Sequence, residues 1–536
     1  MWNANLNNGL SNSNWNYAAR ISVIVVCAIS SPRRGLREDL SGMLKMDKPA
    51  AGAGQLVSPP SMTEVWHGRS LVVHPNGFER RKKRGENVKT YCKRLKLDDA
   101  DLIEKSITAY LHDKWRKNST QKFLANLTGR DKEYVAEHGR PGDAFFAETV
   151  RKISVDMARH VRNRTVKEHI YSHAFGLPVI RYRKIRDGGS GKERVLGLET
   201  VLFRLYEAVA QKAGEPLFNS KLGKFQVASI KGRGQMYGKK AIIKWMTQDP
   251  DGTKYEVKAD VKQCYPSIPH GQLAGLFRRD LKKSPDLLYL LLTFLEIYEE
   301  WPNPDAEDVT KGILVGSPVS KDMCNYYLSY AYHYAERELR KSRTRRGKTV
   351  SVALFDHQIY YMDDLILYGR NKRDVEKAMK MIIAFFEKFL LLKIKANWRK
   401  FRAMYRDAEG KLRGAFTDYM GMRFHGGAVH TKNYYGREVR YREAWTTVRR
   451  RIFLKARRQL ARFEKMVKRR VEVHIKFAKS LVSQYGWFKN TEMAAYRKKH
   501  KVDKIIRIAR NMISDNAREI EYKVQNYFNQ WRCSCA

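Results

Sequence analysis

The sequence predicts an α+β fold, and three observations support that class. Apolar residues flank the tetrad Tyr-Met-Asp-Asp at 361–364 on both sides, which predicts two strands joined by a tight turn. Residues 373–391 place apolar side chains at the spacing of one buried helix face. From residue 431 to the end, 28 Lys and Arg face 9 Asp and Glu, with apolar positions interleaved between them. That pattern predicts a basic helical region.

Composition limits the class of partner. The chain has 536 residues with 43% hydrophobic content, enough for about three domains. Its formal net charge is +48 and its pI is near 10.0, which indicates a polyanionic partner. Six scattered cysteines give neither a disulfide framework nor a zinc spacing, as expected in a reducing cytoplasm. The apolar run 21–29 is too short to span a bilayer and lacks signal-peptide features, so we expect no membrane segment.

Three carboxylates carry the strongest chemical signal. Asp363 and Asp364 leave an apolar hairpin at its turn, and Asp260 ends a short strand at 255–260. An Asp-Asp pair alone is common in solvated turns. A third carboxylate at the end of another strand makes a metal site the better interpretation. Two strand ends that carry carboxylates can together hold two Mg²⁺ ions roughly 3.5–4 Å apart for nucleotidyl transfer. Mn²⁺ is the expected substitute.

The spacing Asp-x₄-Tyr (Asp260, Tyr265), followed later by Tyr-Met-Asp-Asp, resembles the palm of reverse transcriptases, and the likeness extends over about residues 150–515. It implies a right-hand polymerase with fingers, a palm of antiparallel sheet plus helices, and a helical basic thumb. It also implies that Asp260, Asp363 and Asp364 are catalytic and bind metal, with the backbone carbonyl of Val261. Tyr265 would be the steric gate, since a ring beneath the sugar clashes with a 2′-hydroxyl. The alternative for Tyr265 is a half-buried structural tyrosine.

The resemblance also assigns substrate contacts upstream. Residues 185–194 look like the fingers hairpin, in which Lys192 and Arg194 would neutralise the incoming triphosphate. Residues 229–234 resemble the second fingers block, which implies template contacts at Gly232, Arg233 and Gly234. Without the palm behind them, a basic turn and a lone Gly-x-Gly would indicate only solvated loops.

The loop 312–321 indicates a subtype. Most reverse transcriptases have Gln where this chain has Val315, followed by Gly316, and Pro where it has Lys321. An aliphatic residue followed by Gly-x-x-x-Ser is typical of diversity-generating retroelements, although those usually carry Gln in place of Lys321. Val315 and Gly316 would lie at the nucleotide, and Ser320 near template or primer. The likeness implies misincorporation opposite template adenines, to which the loss of a polar contact at Val315 could contribute.

Primer contacts are implied at Tyr361 and Met362, and at Gly421 in the primer-grip-like block 418–424.

The segment 448–470 predicts a helix with one apolar and one cationic face, and 483–489 also resembles the thumb of diversity-generating enzymes. We expect the cationic face of the 448–470 helix to bind phosphates, with an affinity that falls as the salt concentration rises. The expected phosphate contacts are Arg450, Arg451, Arg458, Lys468 and Arg469.

These signals predict five segments. They are a disordered Asn-rich terminus and linker (1–65), a helical fingers extension (66–150), fingers (151–250), palm with primer grip (251–430), and a basic helical thumb with tail (431–536). Seven asparagines within residues 3–16 suggest that residues 1 to 30 or so are a template-repeat sequence read in frame from a start placed too far upstream. A disordered polar tail explains them almost equally well.

The leading interpretation is therefore an RNA-directed DNA polymerase, bacterial or phage-encoded and cytoplasmic, that makes cDNA from a template-repeat RNA to diversify a target gene. The resemblance implies dNTPs, a structured template RNA, an RNA/cDNA heteroduplex and a small helical accessory protein, with the oligomeric state open. The first alternative is a phage-defence-associated or group-II-intron-like reverse transcriptase. The second, from another class, is an inactive RNA-binding protein that has kept the fold.

Overall fold

The computed structural model describes residues 89–93, 95–186, 193–407, 409, 411–434 and 437–516. All of them belong to one compact unit, so distances between them can be compared directly. The predictions for residues 1–65 and for Lys192 lie outside the described residues.

Helices form the amino-terminal part of the described chain. Capping residues begin several of them: Asp99 and Asp131 each accept a hydrogen bond from a backbone N–H in the first turn of the helix that follows. The longest amphipathic member buries Phe146, Val150, Ile153 and its later apolar positions. The five helices are α1 (Ala100–Leu111), α2 (Asn118–Thr128), α3 (Lys132–His138), α4 (Ala144–Arg162) and α5 (Val166–Ser172).

A basic hairpin and three helices follow. Strands β1 (Ile180–Arg186) and β2 (Glu193–Glu199) pair antiparallel, as the glycine-rich turn between them predicts. Tyr182 fastens the hairpin to the body by donating a 2.6 Å hydrogen bond to the carbonyl oxygen of Trp301. The next helices are α6 (Val201–Ala213), α7 (Glu215–Lys221) and α8 (Gln235–Gln248).

The centre is a four-stranded antiparallel sheet with the order β6-β7-β3-β8. Its strands are β3 (Tyr255–Asp260), β6 (His357–Tyr361), β7 (Asp364–Gly369) and β8 (Arg399–Arg402). Strand β7 is buried from Leu365 to Gly369, whereas β3 alternates charged and apolar residues, and the helix that follows β7 packs on both strands. Between β3 and the carboxylate hairpin lie α9 (Cys264–Ser267), α10 (His270–Asp280), α11 (Pro285–Glu300), α12 (Ser320–Glu338), β4 (Arg340–Arg345) and β5 (Lys348–Ala353).

Helix α13 (Lys372–Lys388) confirms the helical stripe predicted after the hairpin. Val375, Met379, Ile382 and Phe386 are buried, and the helix packs on β3, β7 and α12. The alternating segment 392–401 does not form one continuous strand. A turn at Ala396 and Asn397 breaks it, leaving an isolated bridge between Ile394 and Val261 and the short strand β8.

A second sheet links the centre to the carboxy-terminal helices. Its strands are β11 (Thr417–Tyr419), β12 (Met422–Tyr434) and β13 (Arg437–Val448), and β9 (Tyr405–Arg406) pairs with β10 (Leu412–Arg413) beside it. Helices α14 (Arg450–Lys468), α15 (Ile475–Lys489) and α16 (Ala494–Lys499) follow, and residues 502–516 are helical. Their apolar faces form a core of their own around Leu460, Phe463 and Leu481.

Two of the predicted segment boundaries cut through elements. The boundary at 150/151 falls inside α4, and the boundary at 430/431 falls inside β12. Residues 431–434 and 437–448 belong to the hairpin of β12 and β13 and do not begin a helical region. Each of the two strands satisfies its backbone hydrogen-bonding groups by pairing with the other. Among the described residues, no helix combines the length and apolar composition needed to cross a membrane.

Candidate active site

The three predicted carboxylates lie together at one end of the central sheet. Asp260 is the last residue of β3 and is the direct register partner of Asp364, the first residue of β7. Asp363 precedes Asp364 in the turn, and its carbonyl oxygen accepts a 3.0 Å hydrogen bond from the backbone N–H of Val261. Two stretches far apart in the chain therefore meet through backbone pairing, which fixes the carboxylates more firmly than loop contacts would.

The turn that presents them is tight and strained. Only Met362 and Asp363 separate β6 from β7, and Met362 has a φ of +55°. Gln263, just after the end of β3, has a φ of +45°. Positive φ in a non-glycine residue costs energy and concentrates at functional sites. Here it occurs on both chain segments that carry the acids.

Two lysines face the carboxylates. The Lys395 ammonium donates to Asp260, and the backbone N–H of Lys395 donates to the Asp260 carbonyl oxygen at 2.9 Å. The Lys258 ammonium lies 3.9 Å from Oδ1 of Asp364. Burial raises the pKa of Asp364, Lys258 opposes that shift, and Asp363 adds to it. The cluster is thus a half-buried concentration of negative charge that favours cations.

The donor set fits hard divalent ions, because carboxylates and a nearby backbone carbonyl are the oxygen ligands that Mg²⁺ accepts. Lysine ammonium groups already interact with two of the three acids, so cations are accommodated there. Behind the acids, Tyr419 of β11 donates a 2.8 Å hydrogen bond to the carbonyl oxygen of Asp364.

Comparison with known families decides the identity of this region. Residues 184–439 match the family model described as reverse transcriptase (RNA-dependent DNA polymerase). The chain contains a reverse transcriptase domain. Its activity is RNA-directed DNA polymerisation, a nucleotidyl transfer. The match begins in β1 and ends in β13, so it is narrower than the likeness expected from the motifs. A search of curated proteins gives no match.

The predicted nucleotide-contact residues of the reverse transcriptase domain converge from three segments. The carbonyl oxygen of Tyr265 accepts a 2.9 Å hydrogen bond from the N–H of Ile313, and the carbonyl oxygen of Val315 accepts one of 3.2 Å from the N–H of Gly197 in β2. Burial raises the pKa of Tyr265, and Asp363 is among the nearby groups that raise it further. The half-buried Tyr265 and Val315 are therefore tied to one loop, with the carboxylates close by.

The hairpin and glycine loop hold the remaining upstream residues. Arg194 is exposed on β2, opposite Ile185, whereas Lys192 lies outside the described residues. Gly232 and Gly234 have φ values of +75° and +138°, which side chains other than glycine rarely adopt. The Arg233 guanidinium donates to the carbonyl oxygens of Gly223 and Gln226, at 2.5 and 3.2 Å. That side chain closes its own loop, so any template contact here would fall to the backbone.

Two predicted template or primer residues prove to have packing roles. Ser320 is fully buried at the start of α12, so the expected direct contact of its side chain with nucleic acid is not available. Gly421 has a φ of +77°, and a Cβ there would lie 2.4 Å from Cη2 of Trp487 in α15. The glycine is required by this contact whether or not a primer is present. Tyr361 and Met362 are half-buried beside the acids.

The five predicted thumb cations, Arg450, Arg451, Arg458, Lys468 and Arg469, are all exposed on or just after α14. The opposite face of that helix buries Ala456, Leu460 and Phe463. Lys468 pairs with Glu464 at 2.9 Å, an exposed i,i+4 pair worth little energy.

The sequence motifs did not indicate that Lys258 and Lys395 lie at the carboxylates. Alternation along β3 places Lys258 on the same face as Asp260, a signal that was present in the sequence. Nothing comparable indicated Lys395, because its position depends on where the chain turns after Ile394.

Proposed function

We propose that this reverse transcriptase belongs to a diversity-generating retroelement and copies a template-repeat RNA into cDNA with errors at template adenines. The observation that carries the proposal is the position of Val315. Its backbone joins β2 of the basic hairpin, and its loop is bonded to Tyr265, so it lies between two segments expected to contact the nucleotide. A valine there offers no side-chain hydrogen bond to check the pairing base.

In this proposal the three carboxylates and the carbonyl oxygen of Val261 hold two Mg²⁺ ions. When bound, these ions would lower the pKa of the primer hydroxyl and stabilise the charge on the transferring phosphate. Tyr265 excludes a 2′-hydroxyl, while Lys192 and Arg194 neutralise the triphosphate. The segment from α4 to α8 serves as fingers, the central sheet with β11 and β12 as palm, and α14 to α16 as thumb.

The exposed cations of α14 suit an RNA/cDNA heteroduplex, since neutralising phosphates releases counterions and gives salt-dependent affinity. The resemblance further implies a small helical accessory protein and a cytoplasmic bacterial or phage setting. These parts rest on the family likeness alone.

Lys321 is the observation that favours a second candidate, a phage-defence-associated or group-II-intron-like enzyme. It departs from the pattern of diversity-generating enzymes at the position after Ser320. Its ammonium donates to Asp322 at 2.8 Å at the start of α12. A charged residue is accommodated there without disturbing the loop that carries Val315.

Sequencing of cDNA made by the full chain on a defined RNA tests the proposal. Wild type should misincorporate opposite template adenines far more often than opposite other bases, and Val315→Gln should reduce those errors. Val309→Gln, an equivalent change at an exposed valine outside the loop, should leave them unchanged. Accurate copying of adenines by wild type would contradict the proposal. Errors that persist in Val315→Gln would remove Val315 from the explanation.

A further inference from the structure

A second cluster of ligand-type side chains lies in the amino-terminal helices, apart from the polymerase carboxylates. It comprises Asp156 and His160 of α4 and His169 of α5, and one ligand atom from each lies within 4.8 Å of the other two. Nε2 of His169 is 2.9 Å from Oδ2 of Asp156, and Nε2 of His160 is 3.8 Å from Oδ1. Among the described residues, this is the one group of at least three His, Cys, Asp or Glu side chains with such spacing.

The local fold explains why the three side chains meet. Asp156 and His160 are one turn apart on the same face of α4. A short turn then reverses the chain into α5, which brings His169 back against that face with its ring stacked on His160 at a centroid distance of 4.0 Å. Arg159 also donates to Asp156, so the carboxylate already interacts with a cation.

The remaining ring nitrogens are held as they are in many metal centres. Nδ1 of His160 lies 2.7 Å from the Thr165 hydroxyl, and Nδ1 of His169 lies 2.7 Å from the Tyr206 hydroxyl. With a metal bound, each Nδ1 would carry the proton and donate it to its hydroxyl partner, which leaves both Nε2 lone pairs for the metal. Such outer partners fix the tautomer and orientation of metal-binding histidines.

We propose that Asp156, His160 and His169 bind a divalent transition-metal ion, with zinc as the best fit. Two imidazoles and a carboxylate form a set common in zinc sites that keep one position open. Zinc–nitrogen bonds of about 2.0–2.1 Å place tetrahedral ligand atoms about 3.3 Å apart. The Nε2 atoms of His169 and His160 lie 2.9 Å from Oδ2 and 3.8 Å from Oδ1 of Asp156, on either side of that value.

A cavity of about 560 Å³ between α2, α3, α4 and α5 adjoins the cluster. Asp156 and His169 line it together with Arg130, Lys152 and His173. A water molecule could therefore complete the coordination. A bound ion would fasten α4 to α5, just before the hairpin β1–β2.

Zinc titration of the full chain tests the site after metals have been removed with a chelator. A chromophoric competitor reports affinity, and Co²⁺ reports geometry by its visible absorption. Wild type should bind one zinc ion at this site, and His160→Gln should weaken it more than tenfold. Thr165→Val, which removes only the outer partner of His160, should weaken it about 10- to 100-fold, while Thr165→Ser retains the affinity.

Three controls make the result decisive. His112→Gln, at an exposed histidine of similar chemistry, should bind as wild type does. Asp363→Asn should retain the zinc ion, which separates this site from the polymerase carboxylates. Thermal unfolding without metal should be similar for wild type and His160→Gln. Absence of saturable zinc binding, equal affinity in His160→Gln, or loss of the zinc ion in Asp363→Asn would each overturn the proposal.

Discussion

The contact between Gly421 and Trp487 predicts a measurable loss of stability on adding a single methyl group. Gly421→Ala places a Cβ 2.4 Å from Cη2 and 2.7 Å from Cζ3 of the Trp487 ring, at a φ of +77°. The left-handed backbone alone costs alanine about 1–2 kcal/mol. Overpacking against a rigid ring adds about 1–3 kcal/mol. We therefore expect the free energy of unfolding to fall by about 2–5 kcal/mol.

Gly129→Ala provides the matched control, because Gly129 has a φ of +67° and a Cβ there would meet nothing within 4 Å. It should lose only the backbone contribution. Urea denaturation followed by circular dichroism measures both variants. Equal losses in the two would refute the tight contact with Trp487.

The double variant Gly421→Ala/Trp487→Leu separates packing from function. Removing the ring should recover the overpacking part, giving an interaction energy of about 1–3 kcal/mol. If stability returns while primer extension stays low, Gly421 also acts at the primer, as its motif suggests. If both return together, packing accounts for the glycine.

Two further predictions concern Glu256 in the central sheet and Tyr265 in α9. Burial raises the pKa of Glu256 to about 7 from an ordinary value of 4.5. Because the folded value is the higher one, its contribution to stability is present below about pH 4.5 and is lost as pH rises through about 7, by up to about 3 kcal/mol. Glu256→Gln should flatten that decline between about pH 5 and pH 8 in urea denaturation, and an unchanged slope would contradict the assignment. Tyr265→Ala should raise the use of rNTP relative to dNTP in single-nucleotide extension, and unchanged discrimination would reduce Tyr265 to a structural residue.

Much of the central sheet could be predicted because its signals are local. Apolar flanks around a two-residue turn specify β6 and β7, and a strand that ends in Asp260 needs only a partner to bring the acids together. The stripe of α13 is equally local. These patterns depend on periodicity and turn chemistry, which a single sequence displays directly.

The missed features depend on tertiary contacts. The basic composition after residue 431 predicted helix, yet 431–434 and 437–448 pair as strands, since basic charge does not distinguish a strand from a helix. The motif placed Ser320 near nucleic acid, but packing buries it. The metal-ligand-like group Asp156, His160 and His169 has no sequence motif, because its members meet only when α4 folds back on α5.

Iron-mediated cleavage tests whether Asp260, Asp363 and Asp364 share one metal site. With added hydrogen peroxide and ascorbate, Fe²⁺ substituted for the native ion generates hydroxyl radicals that cut the backbone beside each bound metal. Because Asp260 and Asp364 are register partners, we predict paired cuts near residues 260 and 363. The variant Asp363→Asn should lose both cuts and also lose dNTP incorporation. Any cut from the histidine cluster would fall near residues 156–169 and persist in that variant. Cleavage at only one of the paired stretches, or full incorporation by Asp363→Asn, would contradict the shared metal site.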